Sequence, residues 1–443
     1  MSLHKSTWLI VLVFISFKTI AQNTHLFSVK DCVDYALKNN IQVKNALLDI
    51  EIQQQSNRVT TAQALPSLNG SANYTDNIIV PTTLVPGDFF GQPGKYVAVK
   101  FGLQYNAAAG ITLQQTLFDG QVFVGLQARR TSIDYRRNAA VLTQDVIRAN
   151  IYKIYYQLVV SKTQIEQIDA NIERTQNLLH VNTELYKSGF AQQIDVNRTS
   201  VQLANLQTEK ASALSQVANG YYGLKFLMGM PEKDSIVLTD SVTGDMLKQG
   251  LLNEGVYDYS NRSDYKLYQS LNQLNEYNVK RYKLSYYPTL SLLGNLNRQG
   301  SGNDFNVFSK GQWFTSSYFS LNLSVPIFNG FQKNANVKEA ELQLQQSQNN
   351  LNNIKDSIDK AVLEAINNYH TAITTLDFQQ KNVQLAEQVY NQSQKQYESG
   401  LGSTLDITNA QSDLRVAQSN YISAMYDAVI AQIDYLYATG QLK

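Results

Sequence analysis

Residues 126–188 and 331–399 contain neither glycine nor proline. Because these two residue types are the strongest local punctuators of structure, each run can continue as one unbroken helix. At 1.5 Å per residue each would span roughly 95–105 Å, several times a typical globular helix. Both runs carry an apolar stripe of period seven: Leu158, Ile165, Ile172, Leu179 and Tyr186 in one, and Tyr369, Leu376, Val383, Tyr390 and Tyr397 in the other. A sustained repeat of 3.5 residues per turn means left-handed coiled packing against neighbouring helices. Taken alone, the stripe also fits an ordinary coiled coil.

The two runs belong to a duplication. Ala64-Leu65-Pro66-Ser67-Leu68 matches Tyr286-Tyr287-Pro288-Thr289-Leu290, and Leu117-Phe118-Asp119-Gly120 matches Ile327-Phe328-Asn329-Gly330. Tyr186-Lys187-Ser188-Gly189 with Ile194-Asp195-Val196 matches Tyr397-Glu398-Ser399-Gly400 with Leu405-Asp406-Ile407, and Gly229 matches Gly440. A unit of about 210 residues is far too long for a solenoid repeat and indicates duplication of a half-structure. Each unit reads as an initial helix (28–63 or 250–286), two strands around an aromatic loop, the long helix, a break at Gly189 or Gly400, and a returning helix about half as long. Stacked end to end, the initial and returning helices have the length to flank the long one, giving a two-column helical wall about 100 Å tall.

The strand segments alternate. Leu68, Gly70, Ala72 and Tyr74 oppose Ser67, Asn69, Ser71, Asn73 and Thr75; Phe319, Leu321, Leu323 and Val325 oppose Ser320, Asn322 and Ser324. Segments 107–117 and 289–297 are looser versions. Such alternation fits a membrane barrel wall or a half-buried soluble sheet. Four strands cannot close a barrel, and an open edge in lipid leaves backbone groups unsatisfied at several kcal/mol each. Three chains would supply twelve strands and would also close the helical walls into a cylinder. Phe89, Phe90, Tyr96, Phe101 and Tyr105, with Trp313 and Phe314, read as loop aromatics suited to an interface girdle or an external plug.

The remaining composition sets the context. Weakly basic His4-Lys5, the apolar stretch Trp8–Phe17 and the small-residue site at Ala21-Gln22 read as a secretory signal peptide, being too short to span a membrane. Cys32 is the only cysteine, so no internal disulfide or cysteine metal cluster is possible, and its Val29-Lys30-Asp31 setting reads as helix rather than as a lipid anchor. A net charge of +1 gives no electrostatic case for nucleic acid. His25, His180 and His370 are scattered, and no phosphate loop, dinucleotide fingerprint or nucleophile elbow occurs. No catalytic residue, metal site or cofactor is expected, and the chain reads as a non-enzyme.

With its duplicated element order, its Pro66 and Pro288 before strands, its LFDG and IFNG strand exits, and its YKSGFAQQIDV and YESGLGSTLDI turns, the mature chain resembles the outer membrane efflux (TolC) family throughout residues 22–443. The resemblance implies a mainly α protein with membrane β: a homotrimer whose 12-stranded β-barrel continues into a long α-helical barrel in the periplasm. It implies an outer-membrane exit duct for efflux or type I secretion, fed by an inner-membrane transporter through a periplasmic adaptor and embedded in outer-membrane lipid. The turns at Gly189, Phe190, Ser399, Gly400 and Leu401 would be periplasmic tips that meet the adaptor. Tyr397 and Asp406 would hold or line the closed entrance, with Tyr186 and Asp195 as first-repeat counterparts. Asn409 stands where several relatives carry a second acid, so this tip would hold one carboxylate ring rather than two. Gly400 also fits a helix C′ position, and Ser403 with Asp406 a capping box.

The expected domains are a signal peptide (1–21), a first repeat (22–231; strands about 66–78 and 107–118, hairpin about 120–229), an equatorial linker (232–249), and a second repeat (250–443; strands about 288–298 and 317–328, hairpin about 330–440). A periplasmic coiled-coil adaptor or scaffold is the alternative. An adaptor, however, should flank one hairpin with a Gly-rich lipoyl-like half-motif, whereas each hairpin here is flanked by barrel-type strands.

Overall fold

The computed structural model describes residues 24–249 and 257–442; the signal peptide and residues 250–256 lie outside them. In chain order the elements are β1 (Thr24–Phe27), α1 (Val29–Asn39), α2 (Ile41–Ala62), β2 (Ser67–Asp76), β3 (Thr82–Pro86), β4 (Tyr96–Lys100) and β5 (Tyr105–Phe118). Then come α3 (Gly120–Lys187), α4 (Gln193–Met228), β6 (Ser235–Leu238), α5 (Gly244–Gln249) and α6 (Ser263–Leu284). The chain ends with β7 (Thr289–Gly302), α7 (Val307–Lys310), β8 (Gln312–Ser324), α8 (Gln332–Glu398) and α9 (Thr404–Ala438). With 68 and 67 residues, α3 and α8 are each about 100 Å long. Among the described residues no helix is apolar enough over a sufficient length to cross a membrane.

The segments form two compact units, each drawing on both halves of the chain. One comprises Asn45–Thr143 and Tyr257–Ala361. Its centre is a four-stranded antiparallel sheet in the order β2-β5-β7-β8. Directly opposed residues share a face, so the register sorts the side chains. Leu68 opposes Leu113, Ile111 opposes Leu296, Leu292 opposes Leu321, and Leu290 opposes Leu323. On the other face Asn69 opposes Thr112, which opposes Asn295, and Asn297 opposes Ser316; the Asn295 amide donates to Thr112 Oγ1 at 3.2 Å. Leu293, Phe314 and Tyr318 on the polar face, and Asp76, Gln115 and Arg298 on the apolar face, are exceptions. Asp76 and Arg298 are the only charged residues in these four strands. The apolar face is bare: Phe319 is 78% and Leu68 70% exposed.

Several boundaries differ from the sequence reading, each for a local reason. The last strand is Gln312–Ser324 rather than 317–328. It stops before Pro326, which has no N–H for a ladder. It starts earlier because Trp313 and Phe314, read as loop, pair with Gly300 and Gln299. The loop after β2 contains its own hairpin, β3 with β4, and Tyr96 and Tyr105 lie in strands. Tyr74, Tyr105, Phe305 and Phe308 gather at the sheet end away from the helices, with ring centroids 5.7–6.3 Å apart. The initial helix expected at 28–63 is two, because Asn40 interrupts it. Its side-chain oxygen accepts the N–H groups of Gln42 and Val43 at 2.8 and 3.2 Å and so opens α2. The later initial helix begins at Ser263.

The other unit comprises the segment ending at Lys44, Gln144–Val256 and Val362–Lys443. One apolar core joins α1, α3 and α4 through Cys32, Val33, Ile151, Tyr155, Leu224 and Met228. A second gathers Tyr369, Leu376, Met425 and Val429 from α8 and α9. Cys32 is fully buried, and burial first, then nearby Asp31 and Asp240, pushes its thiol up to about 12, leaving it inert at physiological pH. Within the expected linker 232–249, β6 pairs in parallel with β1, a pairing the sequence did not suggest. Asp240 ties the pair down by accepting Val29 N–H at 3.0 Å, while its own N–H donates to Tyr155 Oη at 3.1 Å.

Gly229 ends α4 with φ +66°, and a Cβ there would lie 2.6 Å from the Asn39 carbonyl oxygen. Gly229→Ala should therefore cost about 1–3 kcal/mol, read as a lowered Tm by circular dichroism in detergent. Gly70→Ala, with open space around it, should change Tm little; equal effects would contradict the packing argument.

Candidate functional site

The residues singled out by sequence lie at the far ends of two helical hairpins, α3–α4 and α8–α9. Both turns are built the same way. Gly189 and Gly400 take φ +81° and +74°. In the first turn, Phe190 N–H donates to Leu185 O at 2.8 Å and Gly189 N–H to Tyr186 O at 3.0 Å. In the second, Leu401 N–H donates to Gln396 O at 2.9 Å and Gly400 N–H to Tyr397 O at 3.0 Å. This paired closure of a helix end needs a left-handed residue, which glycine supplies without Cβ strain. It leaves Phe190 and Leu401 projecting, 83% and 85% exposed. Ser399 sits beside them, its Oγ donating to Gln396 O at 3.0 Å.

Each returning helix then opens on a capping box. Asp406 accepts from Ser403 N–H at 3.1 Å and Ser403 Oγ at 2.7 Å. Asp195 accepts from Gln192 N–H at 3.3 Å. The Ser403 hydroxyl first, and its backbone N–H second, hold the Asp406 carboxyl below the usual carboxylate range. A depressed native value means this cap stabilises the helix above the unfolded-state pKa and is lost as pH falls through the native one. Tyr186 is 43% exposed, and Asn409 lies on the exposed face of α9.

Tyr397 does something different: its hydroxyl donates to Asn182 Oδ1 across the two hairpins at 2.5 Å. Asn182 is fully buried and donates to Thr199 Oγ1 at 2.9 Å. Further along the seam, Gln411 Nε2 donates to Thr175 Oγ1 at 2.6 Å and Asn171 Nδ2 to Gln418 Oε1 at 2.9 Å. The fully buried face of α3 here runs Ile168, Asn171, Thr175, Leu178 and Asn182, beside the apolar stripe read from sequence. These amides and hydroxyls were missed because polar residues on a helix look like a solvated face; their three-and-four spacing was the available signal. Between the hairpin ends lies a cavity of about 820 Å³. Arg174 lies within it, 5.6 Å from the Tyr390 ring centroid and 3.2 Å from Asn171 Oδ1.

Buried polar pairs of this kind fix register at a cost in stability. Tyr397→Phe leaves buried Asn182 Oδ1 without its donor, an expected loss of about 1–3 kcal/mol. A double-mutant cycle with Asn182→Leu, read by thermal unfolding, should show coupling; additivity would place the pair apart.

A family profile described as "Outer membrane efflux protein" matches residues 272–441. The outer membrane protein TolC of Vibrio cholerae serotype O1 is 20% identical over 337 residues, covering 76% of this chain and 77% of that one. The outer membrane efflux protein BepC of Brucella suis biovar 1 is 22% identical over 423 residues, covering 92% and 84%. A crystal structure of CusC superposes with a TM-score of 0.77 at 19% identity, covering 93% of this chain and 91% of that one. The chain is thus similar to the outer membrane efflux protein (TolC) family over residues 272–441, and it shares the fold of CusC over most of its length.

Proposed function

We propose that this chain is the exit duct of a tripartite efflux or type I secretion system. Three copies pair edge to edge, so that their four-stranded sheets close into a 12-stranded barrel and their helices into a cylinder. The observation that carries this reading is the sheet. It has a bare apolar face, an uncharged amide and hydroxyl face, and both edge strands, β2 and β8, unpaired among the described residues. Such a sheet suits lipid on one side and a wetted lumen on the other, provided its edges are closed. The duplicated arrangement supports treating 22–231 and 250–443 as two repeats joined by an equatorial segment.

The hairpin ends are the periplasmic tips in this account. Phe190 and Leu401 project from rigid glycine turns and offer apolar contacts to a helical adaptor, with Gly189, Ser399 and Gly400 shaping the same surface. The Tyr397–Asn182 link holds the two hairpins of one chain together at the entrance. Asp195 and Asp406 cap their helices and, with Tyr186 and Asn409, face the mouth. Flow is driven by the inner-membrane transporter, and the duct contributes a path and a gate.

A photoreactive amino acid at Ser399, used in living cells with products identified by mass spectrometry, tests the assignment. Capture of a periplasmic adaptor is expected. Capture of only cytoplasmic or extracellular proteins would overturn both the tip assignment and the duct.

A further inference from the structure

The unit that carries the sheet also carries an uneven distribution of charge. All four strands meet the helices at the same end of the sheet: β2 and β7 begin there, and β5 and β8 end there. Aromatic residues crowd this end, with Tyr286, Tyr287, Phe328 and Phe331 between 50% and 76% exposed. Immediately beyond them the helices turn basic. Residues 52–65, 119–138, 270–287 and 328–344 hold ten Lys or Arg against five Asp or Glu, although the whole chain has a net charge of only +1.

The nearest members are Lys280, Arg281 and Lys283 at the end of α6 and Lys333 at the start of α8. The α6 trio lies six to nine residues before the first residue of β7. Lys333 donates to the Ser285 carbonyl and lies 5.9 Å from the Tyr286 ring centroid, and Arg281 lies 4.8 Å from the Tyr282 ring centroid. A second tier follows on α3, where Arg129 and Arg130 border a groove against Asn57 of α2. Asp134 and Glu341 pair with some of these cations but leave the collar with an excess of positive charge.

An aromatic belt followed by a basic collar matches the order of a bilayer surface: acyl boundary, glycerol level, phosphate. We propose that this collar binds the phosphate headgroups of anionic phospholipids in the periplasm-facing leaflet. The long side chains can reach back towards the belt along their apolar stems, and each basic group adds attraction to an anionic surface. The proposal rests on the membrane reading of the sheet and adds a headgroup preference to it. A lipid bound this way also bridges helices α6 and α8 of one chain at the level where the sheet ends.

Native mass spectrometry of the detergent-solubilised full chain, with equal amounts of dioleoylphosphatidylglycerol and dioleoylphosphatidylethanolamine added, tests this. The wild type should retain several-fold more phosphatidylglycerol, a preference that weakens with added salt. Lys280→Gln with Arg281→Gln and Lys283→Gln should lose most of that preference while remaining in the outer-membrane fraction. Equal uptake of the two lipids by the wild type, no uptake of either, or an unchanged preference in the variant would overturn the proposal. Wild-type protein absent from the outer-membrane fraction would instead refute the membrane reading on which it rests.

Discussion

A backbone N–H or C=O that meets hydrocarbon without a partner costs several kcal/mol, and on the membrane reading proposed above two strands of this chain would face that penalty. β2 and β8 lie at the edges of the four-stranded sheet. Soluble proteins blunt such edges with charge, proline or a covering element. Here the edge strand β8 carries no charge from Gln312 to Ser324, and Phe319, Leu321 and Leu323 lie on its apolar face. On the proposed reading, this is an edge that another copy completes. The two-faced register, the uncharged polar wall and the aromatic residues at both sheet ends acquire a purpose once those edges are closed.

The helical unit follows a different logic. Its upper cores are apolar and well filled, with Tyr155, Leu376 and Leu224 almost wholly buried. Towards the hairpin turns the seam changes to Asn171, Thr175, Asn182, Thr199 and Gln411, all buried and joined by hydrogen bonds. Replacing apolar layers by amides and hydroxyls exchanges non-directional burial for directional contacts that hold one register and lose much of their value when displaced. On the proposed reading, a gate at this end would draw on that single definite arrangement. The glycine turns and capping boxes close each hairpin end with local hydrogen bonds.

Much of this was legible in the sequence because it depends on periodicity and on glycine. The Gly- and Pro-free runs gave α3 and α8 to within a few residues, and Gly189, Gly400 and the Ser403–Asp406 box gave the turn chemistry. The alternation around Leu321 gave the sheet faces. What was hidden depends on tertiary contact. Asn40 breaks a helix by capping with its side chain, which a propensity reading does not resolve. Four-residue β1 is too short to register, and it exists only because β6 lies parallel to it. Trp313 and Phe314 read as loop until the partner strand is known. Asn182 and Thr175 look solvent-facing on a helix and are buried because their partners are equally polar. Tyr397 was singled out by resemblance, and its hydrogen bond to Asn182 supplies the physical reason it matters.

Closure of the sheet by other copies is the claim on which the rest stands, and cysteine crosslinking across the edges tests it most directly. Asn69→Cys on β2 would be combined in turn with Ser316→Cys, Ser320→Cys or Asn322→Cys on β8. All four side chains lie on the polar face, so reach alone decides the outcome. At least one pair should convert the chain under oxidation, in native outer membranes, to a covalent species of three copies that resists further growth. Only monomers in every pairing, or an open-ended ladder beyond three, would contradict a closed barrel.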